Sequence, residues 1–323
     1  MSRSSIWFKS ALIVVVIALA ALALYFWHGS DRTGRVAVGY LPITADLPLF
    51  VALEKGYFRD AGVDVEPIRF QTSNQVAEAL VAGQIDATSV IALTVLFSVE
   101  ANAPGQFRIF LVAVVDKNSS IHNILVRSDS LVRNLGDLKG RTIGVFPGSN
   151  YVSYTKAIMK NFLNPETELT IVQMRPEVQL EALLSGKVDA IFTLEPTGTV
   201  ALQEGHVRVL SQNPLAEYIM APFPTSASVL STKFLNERPD VAKRYQAAID
   251  RAVDFIRANE NEARSYLPKY TGVSESVAGK SGLYILWKVG DIRHDMIQRY
   301  ADLTHEQGDL PQAITVRDMF VDR

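Results

Sequence analysis

The chain has 323 residues, 32 of them basic and 34 acidic, for a formal charge near −2. At about 150 residues per domain this length suggests two domains, and the balanced charge gives no electrostatic case for binding nucleic acid. No cysteine is present, which excludes disulfides, thiolate metal ligands, a cysteine nucleophile and a cysteine-linked lipid anchor.

The hydrophobic excess is concentrated at the start. Every residue from Ala11 to Trp27 is apolar or aromatic. As a helix this run spans roughly 26 Å, enough for a bilayer core. Arg3 and Lys9 precede it and Tyr25, Phe26 and Trp27 close it. Positive charge stays on the cytoplasmic side and aromatic rings sit at the interface, so the rest of the chain is expected outside the cytoplasm. A retained single-pass anchor and a signal peptide cleaved at Ala21-Leu22-Ala23 are both open. The anchor is the preferred reading, because cleavage would leave Leu24-Tyr25-Phe26-Trp27 at the new terminus.

A polar linker, His28 to Arg35, follows. Periodicity and breakers then predict strand 36–40, helix 48–58, strand 63–70, helix 74–82 and strand 85–90. An apolar helix over 91–101 and strands over 108–115 and 124–127 complete the first set. A second set repeats the rhythm: strand 142–146, helix 151–162, strand 169–174, helix 177–185 and strand 188–193. The repeat is also literal. Glu78 to Ala87 (EALVAGQIDA) matches Glu181 to Ala190 (EALLSGKVDA) at six of ten positions, 103 residues apart. Two related α/β lobes explain this better than one chance helix–Gly–strand junction. Beyond Pro224 come a strand, 226–231, and a long amphipathic helix, 239–258. The face of that helix carries Val241, Tyr245, Ala248, Ile249, Ala252 and Phe255. The remainder reads as helices that cap the lobes. The expected division is a membrane segment, 1–31, a first lobe, 35–122, a second lobe, 123–224, and a return strand with capping helices, 225–323.

Several blocks together resemble a known family. They are Gly39-Tyr40, Leu53-Glu-Lys-Gly-Tyr-Phe58, Gly62-Val-Asp-Val65 and Leu135-Gly-Asp-Leu-Lys-Gly-Arg-Thr-Ile-Gly-Val-Phe-Pro-Gly-Ser149. Met174-Arg-Pro-Glu177, the repeated block and Glu195-Pro196 complete the set. Over about residues 36 to 260 their order is similar to that of the NMT1/THI5-like (SsuA/TauA-like) family. This family contains solute-binding proteins of ABC importers for nitrate, sulfonates, taurine and thiamine pyrimidines. The resemblance implies an α/β, periplasmic-binding-protein-like (type II), two-lobed fold with a ligand cleft between the lobes. It also implies a small-molecule ligand, ABC permease subunits as partners, and closure about hinge strands.

Physical reasoning points to the same cleft. In open α/β sheets ligands bind beyond the carboxyl ends of the strands, where helix N-termini offer free N–H groups. Four loops qualify. The first, 40–46, offers Tyr40 and Thr44, with Asp46 as the alternative helix cap. The second, 71–74, offers Ser73 and Asn74, either of which could simply be an N-cap. The third, 146–151, offers Gly148, Ser149 and Asn150 as a cradle for an anion or carbonyl, and the resemblance puts the second-lobe ligand loop here. The fourth, 193–196, offers Glu195, with Ser89 at the matching place in the first lobe. Tyr40, Phe146, Tyr151 and Tyr154 suggest aromatic walls, which suit a planar heterocycle better than a tiny anion. No arginine lies in these loops, and Arg175 opens the next helix. Asp86 and Asp189 start strands at the far, amino end and read as structural.

Enzyme readings find little support. There is no G-x-S-x-G, H-E-x-x-H or P-loop. None of His28, His122, His206, His294 and His305 is spaced for a metal. His122 reads as a capped loop histidine more readily than as a ligand contact. The pyrimidine-synthesising branch of the resembling family uses a cysteine-rich motif that this chain lacks. No metal or cofactor is expected. The leading expectation is a monomeric, membrane-anchored receptor of an ABC importer that faces the periplasm or exterior and binds no nucleic acid. The alternative is an anchored sensor or accessory module uncoupled from transport.

Overall fold

The computed structural model describes residues 34–321. The predicted span Ala11–Trp27 lies outside the described residues. Among the described residues no helix is long and apolar enough to cross a membrane.

The chain opens with β1 (Arg35–Tyr40), a 3-10 turn, α1 (Leu47–Glu54), α2 (Tyr57–Asp60), β2 (Asp64–Arg69) and α3 (Ser73–Val81). β3 (Ala87–Ala92), α4 (Leu93–Asn102) and β4 (Phe107–Val115) follow. The chain then crosses to β5 (His122–Arg127), β6 (Arg141–Val145), α5 (Ser149–Met159), β7 (Leu169–Gln173), α6 (Pro176–Leu184) and β8 (Ala190–Leu194). After α7 (Thr197–Glu204), β9 (Val207–Gln212) and α8 (Pro214–Tyr218) it returns as β10 (Phe223–Ser231). The last part holds α9 (Thr232–Glu237), α10 (Pro239–Ala258), α11 (Glu260–Arg264), α12 (Leu267–Thr271) and α13 (Glu275–Lys280). β11 (Ile285–Lys288) and α14 (His294–Glu306) follow them.

Two sheets result. The first runs β11-β4-β10-β3-β1-β2 and the second β7-β6-β8-β5-β9. Each contains a parallel triple, β2-β1-β3 or β7-β6-β8. Beside each triple lies an antiparallel strand, β10 or β5, that has just arrived from the other half. The central strands β3, β8 and β10 are buried along their whole length. The edge strand β2 carries Asp64, Glu66, Pro67 and Arg69, a composition that discourages further pairing.

The repeated block folds the same way twice. Gly83 and Gly186 end their helices with φ of 67° and 74°, a region glycine enters without a Cβ penalty. Three residues on, Asp86 N–H donates to Ala37 O at 2.8 Å, and Asp86 Oδ2 accepts from Ala37 N at 2.9 Å. Asp189 repeats both bonds with Thr142, at 2.8 and 2.9 Å. An arginine neutralises each carboxylate: Arg238 on Asp86 and Arg141, at 2.9 Å, on Asp189. These aspartates therefore staple the amino ends of the sheets.

Some expectations need correction. The single helix over 48–58 is two, because Gly56 sits at φ 70° between α1 and α2. The buried face of α10 is Ala242, Tyr245, Ala248, Ile249, Ala252, Val253 and Ile256. The expected Val241 and Phe255 lie at its margin, Phe255 beneath the Lys55 ammonium at 4.4 Å. The C-terminal third contains β11, an unexpected strand that pairs with β4.

Two connections join the sheets, 116–121 and 213–222. Asn213 binds both. It is fully buried at a left-handed φ of 42°, which asparagine tolerates. Its Oδ1 accepts from Ile121 N at 3.3 Å and His122 N at 3.1 Å. Its Nδ2 donates to Asp116 O at 2.9 Å, and its own N–H donates to His122 O at 2.7 Å.

Replacing Asp86 or Asp189 with alanine is expected to cost about 1–3 kcal/mol each, because a strand N–H and an arginine lose their acceptor. Denaturant unfolding measures this. The affinity for ligand should not change, since both residues lie at the end of the sheets away from the cleft.

Candidate functional site

The carboxyl ends of the parallel strands of both sheets face one small cavity of about 40 Å³. Leu41, Ile43, Val90, Ala92 and Leu194 form its apolar surface. Phe146, Tyr151, Tyr154, Tyr284 and His122 supply rings, and Ser73, Asn150, Thr225 and Ser226 supply polar groups. Among the described residues no charged side chain lines it. The sheets touch across its mouth. Asn74 Nδ2 donates to Ser149 Oγ at 3.4 Å, Thr44 N to Glu195 O at 3.4 Å, and the Tyr154 hydroxyl to Thr225 O at 3.3 Å.

The expected site residues fall into three groups. Ser73 and Asn150 line the cavity. Ser73 Oγ also accepts from Ala92 N at 3.1 Å, fastening the start of α3 to the end of β3. The cap of α3 is neither Ser73 nor Asn74 but Thr72, whose Oγ1 accepts from Gln75 N at 3.2 Å. Asn74, Gly148 and Ser149 meet at the mouth. The Gly148 N–H, expected to face a ligand, donates instead to Gln173 Oε1 at 2.8 Å.

The remaining four lie apart from the cavity lining. The Tyr40 ring packs edge-on against Phe50 and Tyr270, at 5.6 and 6.4 Å. Thr44 is buried, its main chain held by Glu195. Ser89 sits beside Asp46, which makes no helix-capping bond and instead accepts from Leu41 N at 3.3 Å. Burial pushes the Asp46 carboxyl up, against the hydrogen bonds from Ser89 and Leu41. Glu195, 1% exposed, turns toward α7, where Thr199 N donates to Oε2 at 3.4 Å. Asn123 and Thr193 share that side: a Cβ added at Gly198 would lie 3.0 Å from Glu195 Oε1 and 3.6 Å from Asn123 Nδ2.

His122 overturns its sequence reading. It is the first residue of β5, not a capped loop residue, and it lies in the cavity wall. Burial alone pushes its pKa down to about 3, so the ring is neutral. Tyr284, Thr225 and Ser226 were not anticipated. The start of β10 is polar, but nothing in the local sequence of Tyr284 brings it to a cleft whose other walls all lie far earlier in the chain.

Burial raises the Glu195 carboxyl from 4.5 to about 7, against hydrogen bonds from Thr199 and Ser281. The folded state then holds a proton that the unfolded chain has released. Stability should fall as pH rises from about 4.5 to 7 and level off above, by about 3 kcal/mol at most. Glu195→Gln should flatten this part of the slope and raise the melting temperature at pH 8, while matching the native chain at pH 4. An unchanged slope would assign the titration to Asp46, which shifts in the same direction.

The family model described as NMT1/THI5 like matches residues 44–263. A Bacillus subtilis protein named for binding aliphatic sulfonates is 26% identical over 263 residues, covering 79% of this chain and 76% of its own. A 4-amino-5-hydroxymethyl-2-methylpyrimidine phosphate synthase of Saccharomyces cerevisiae is 22% identical over 235 residues, covering 70% and 67%. Among solved structures, the periplasmic aliphatic sulphonate binding protein SsuA of Escherichia coli superposes with a TM-score of 0.71 at 19% identity, covering 90% of this chain and 92% of that one. The periplasmic nitrate-binding protein NrtA of Synechocystis superposes at 0.69 and 16% identity, covering 87% and 83%. These structures share the periplasmic-binding-protein fold that the two sheets and their exchanged strands describe. With 220 contiguous residues matched, from 44 to 263, the chain belongs to the NMT1/THI5-like family.

Proposed function

We propose that this protein is the solute receptor of an ABC importer, held outside the cytoplasmic membrane by the Ala11–Trp27 segment. One observation carries the reading. The carboxyl ends of the parallel strands of both sheets meet over one cavity, and among the described residues two short connections join the halves. Bending at those connections would open and close the cavity, the motion by which such receptors signal occupancy to a permease. Names among the relatives support a small solute, a sulfonate in one case. The ligand residues proposed here are Ser73, Asn150 and His122 in the wall, with Asn74, Gly148 and Ser149 at the closing edge. Tyr40, Thr44, Ser89 and Glu195 then act by supporting the wall.

A thermal-shift screen of sulfonates, nitrate, pyrimidines and flavins on the full chain tests this. Saturation at a hundred times Kd is expected to stabilise the fold by about 2.7 kcal/mol. Failure of every compound would count against a receptor. With a binder in hand, liposomes carrying the permease and its ATPase separate the roles. Ligand-dependent stimulation of ATP hydrolysis marks an importer, and binding without stimulation marks a sensor.

A further inference from the structure

Glu195 is the residue at which the two halves and their connection meet. Its N–H donates to Ile121 O of the outgoing connection at 3.0 Å, and its carbonyl accepts from Thr44 N of the first half at 3.4 Å. Its side chain turns away from the cavity lining, toward α7 of the second half. The cover over that side is carried by the first half. α11 and α12 pack on α1, and α13 packs on both. α13 then leans across onto α7, where Gln203 Nε2 donates to Ser276 O at 3.1 Å. The segment after α13 closes over the carboxyl. The Ser281 hydroxyl bonds it, and Gly282 lies so close to Ser120 O of the connection that a Cβ would not fit. Glu195 therefore owes its 1% exposure to groups from both halves. Parting the halves lifts this cover and admits water to the carboxyl.

No cation balances a carboxylate in this seam. Among the described residues, the groups that act on Glu195 are the Thr199 and Ser281 hydroxyls and the Thr199 N–H, with no lysine or arginine. Asn123 and Thr193, paired in register across β5 and β8, stand on the same side. Their Oδ1, Nδ2 and Oγ1 atoms are buried and unpartnered, and they bring no charge. The charged residues of α7 and α13, Glu204, Glu275 and Lys280, are exposed. His122 faces the cavity, and burial holds it neutral. From the first half the titratable neighbour is Tyr284 and, through it, Asp46, which is another acid. Asp46 takes its own hydrogen bonds from Leu41 and Ser89 within the first half, so its burial does not depend on the seam. A carboxylate closed in without a partner charge loses more by dehydration than neutral donors return. The closed seam favours the protonated acid, and water favours the ion.

We propose that closure of the two halves is proton-linked: they close over Glu195 as the neutral acid, and its ionisation opens them. The inference rests on the receptor reading and adds a regulation of its closing. Between about pH 4.5 and 7 the closed form holds a proton that the open form has released. The closed-to-open ratio should fall about tenfold per pH unit over this range, about 300-fold in all, and level off above it. The chain has no cysteine, so Glu78→Cys and Glu181→Cys place one spin label on an exposed position of each half. Pulsed electron–electron resonance on the full chain in detergent, without added solute, then reads the distance between the halves. The short, closed distance should dominate at about pH 4.5, and a longer one should grow in up to about pH 7. Glu195→Gln should keep the closed distance throughout, and Asp46→Asn should keep the native transition. A distance independent of pH in the otherwise native chain overturns the proton linkage. A transition that survives in Glu195→Gln, or is lost in Asp46→Asn, overturns the role of Glu195. Should the Gln variant fail to fold, hydrogen exchange of the native chain decides. Protection of the Thr44 and Thr199 amides, corrected for intrinsic rate, should fall across the same range while that of the Ala37 amide, held by Asp86, does not. An equal fall at all three amides means global unfolding and overturns the linkage. Each of these failures leaves the receptor reading to be judged separately by the solute screen.

Discussion

Everything about the cavity depends on how the two sheets are joined, and that junction turns on one carboxamide. Asn213 uses both lone pairs of its Oδ1 on Ile121 and His122 and one Nδ2 hydrogen on Asp116, so it binds the outgoing connection from the start of the returning one. A fully buried asparagine is costly unless its polar atoms are satisfied, and here they are satisfied by main-chain groups that have no other way to pair. The left-handed backbone at this position narrows the choice further, since few side chains other than asparagine accept it. The same contacts set the height of His122 in the wall. The hinge region and the recognition surface are thus one piece of structure.

The exchange of strands makes this junction necessary. β10 enters the first sheet between β3 and β4, and β5 enters the second between β8 and β9. Each half therefore depends on a strand that the chain delivers from the other. The second sheet is complete after one crossing, the first only once the chain has crossed back, and both crossings are tied together at Asn213. A cavity at such a boundary can change volume without disturbing either sheet, because the stapling aspartates, Asp86 and Asp189, sit at the opposite ends. The electrostatics follow the same division. Charge is paired at the amino ends, while among the described residues the cavity lining carries only uncharged polar groups.

Much of this is legible in the sequence. The identical letters around Gly83 and Gly186 correctly signalled one junction used twice, because a helix stop, a left-handed glycine and a strand-capping aspartate each demand a specific residue. Each of the four loops chosen by the rule that ligands gather where strands end and helices start contributes to the cavity lining. Within those loops side-chain direction was not legible. Glu195 and Leu194 are adjacent, yet one turns to α7 and the other to the cavity, a choice made by the register of β8 against β5. Asp46 was a credible cap by spacing, but the close main chain of Leu41 competed for its carboxylate and won. Short β11 was not legible because its pairing partner is β4, far back in the chain.

The sequence by itself determined the α/β rhythm, the duplication and the family, since these rest on local propensities and on letters that recur in order. It also determined the apolar run Ala11–Trp27, whose composition is its own argument. Only the tertiary structure decided what the cavity is made of. Its wall gathers Ile43, His122, Tyr154, Ser226 and Tyr284 from five separate stretches. Whether such a wall is charged or neutral depends on which of many nearby polar groups turn inward. That choice is made by packing and by competition for hydrogen-bond partners across the fold, and neither is written in any single segment.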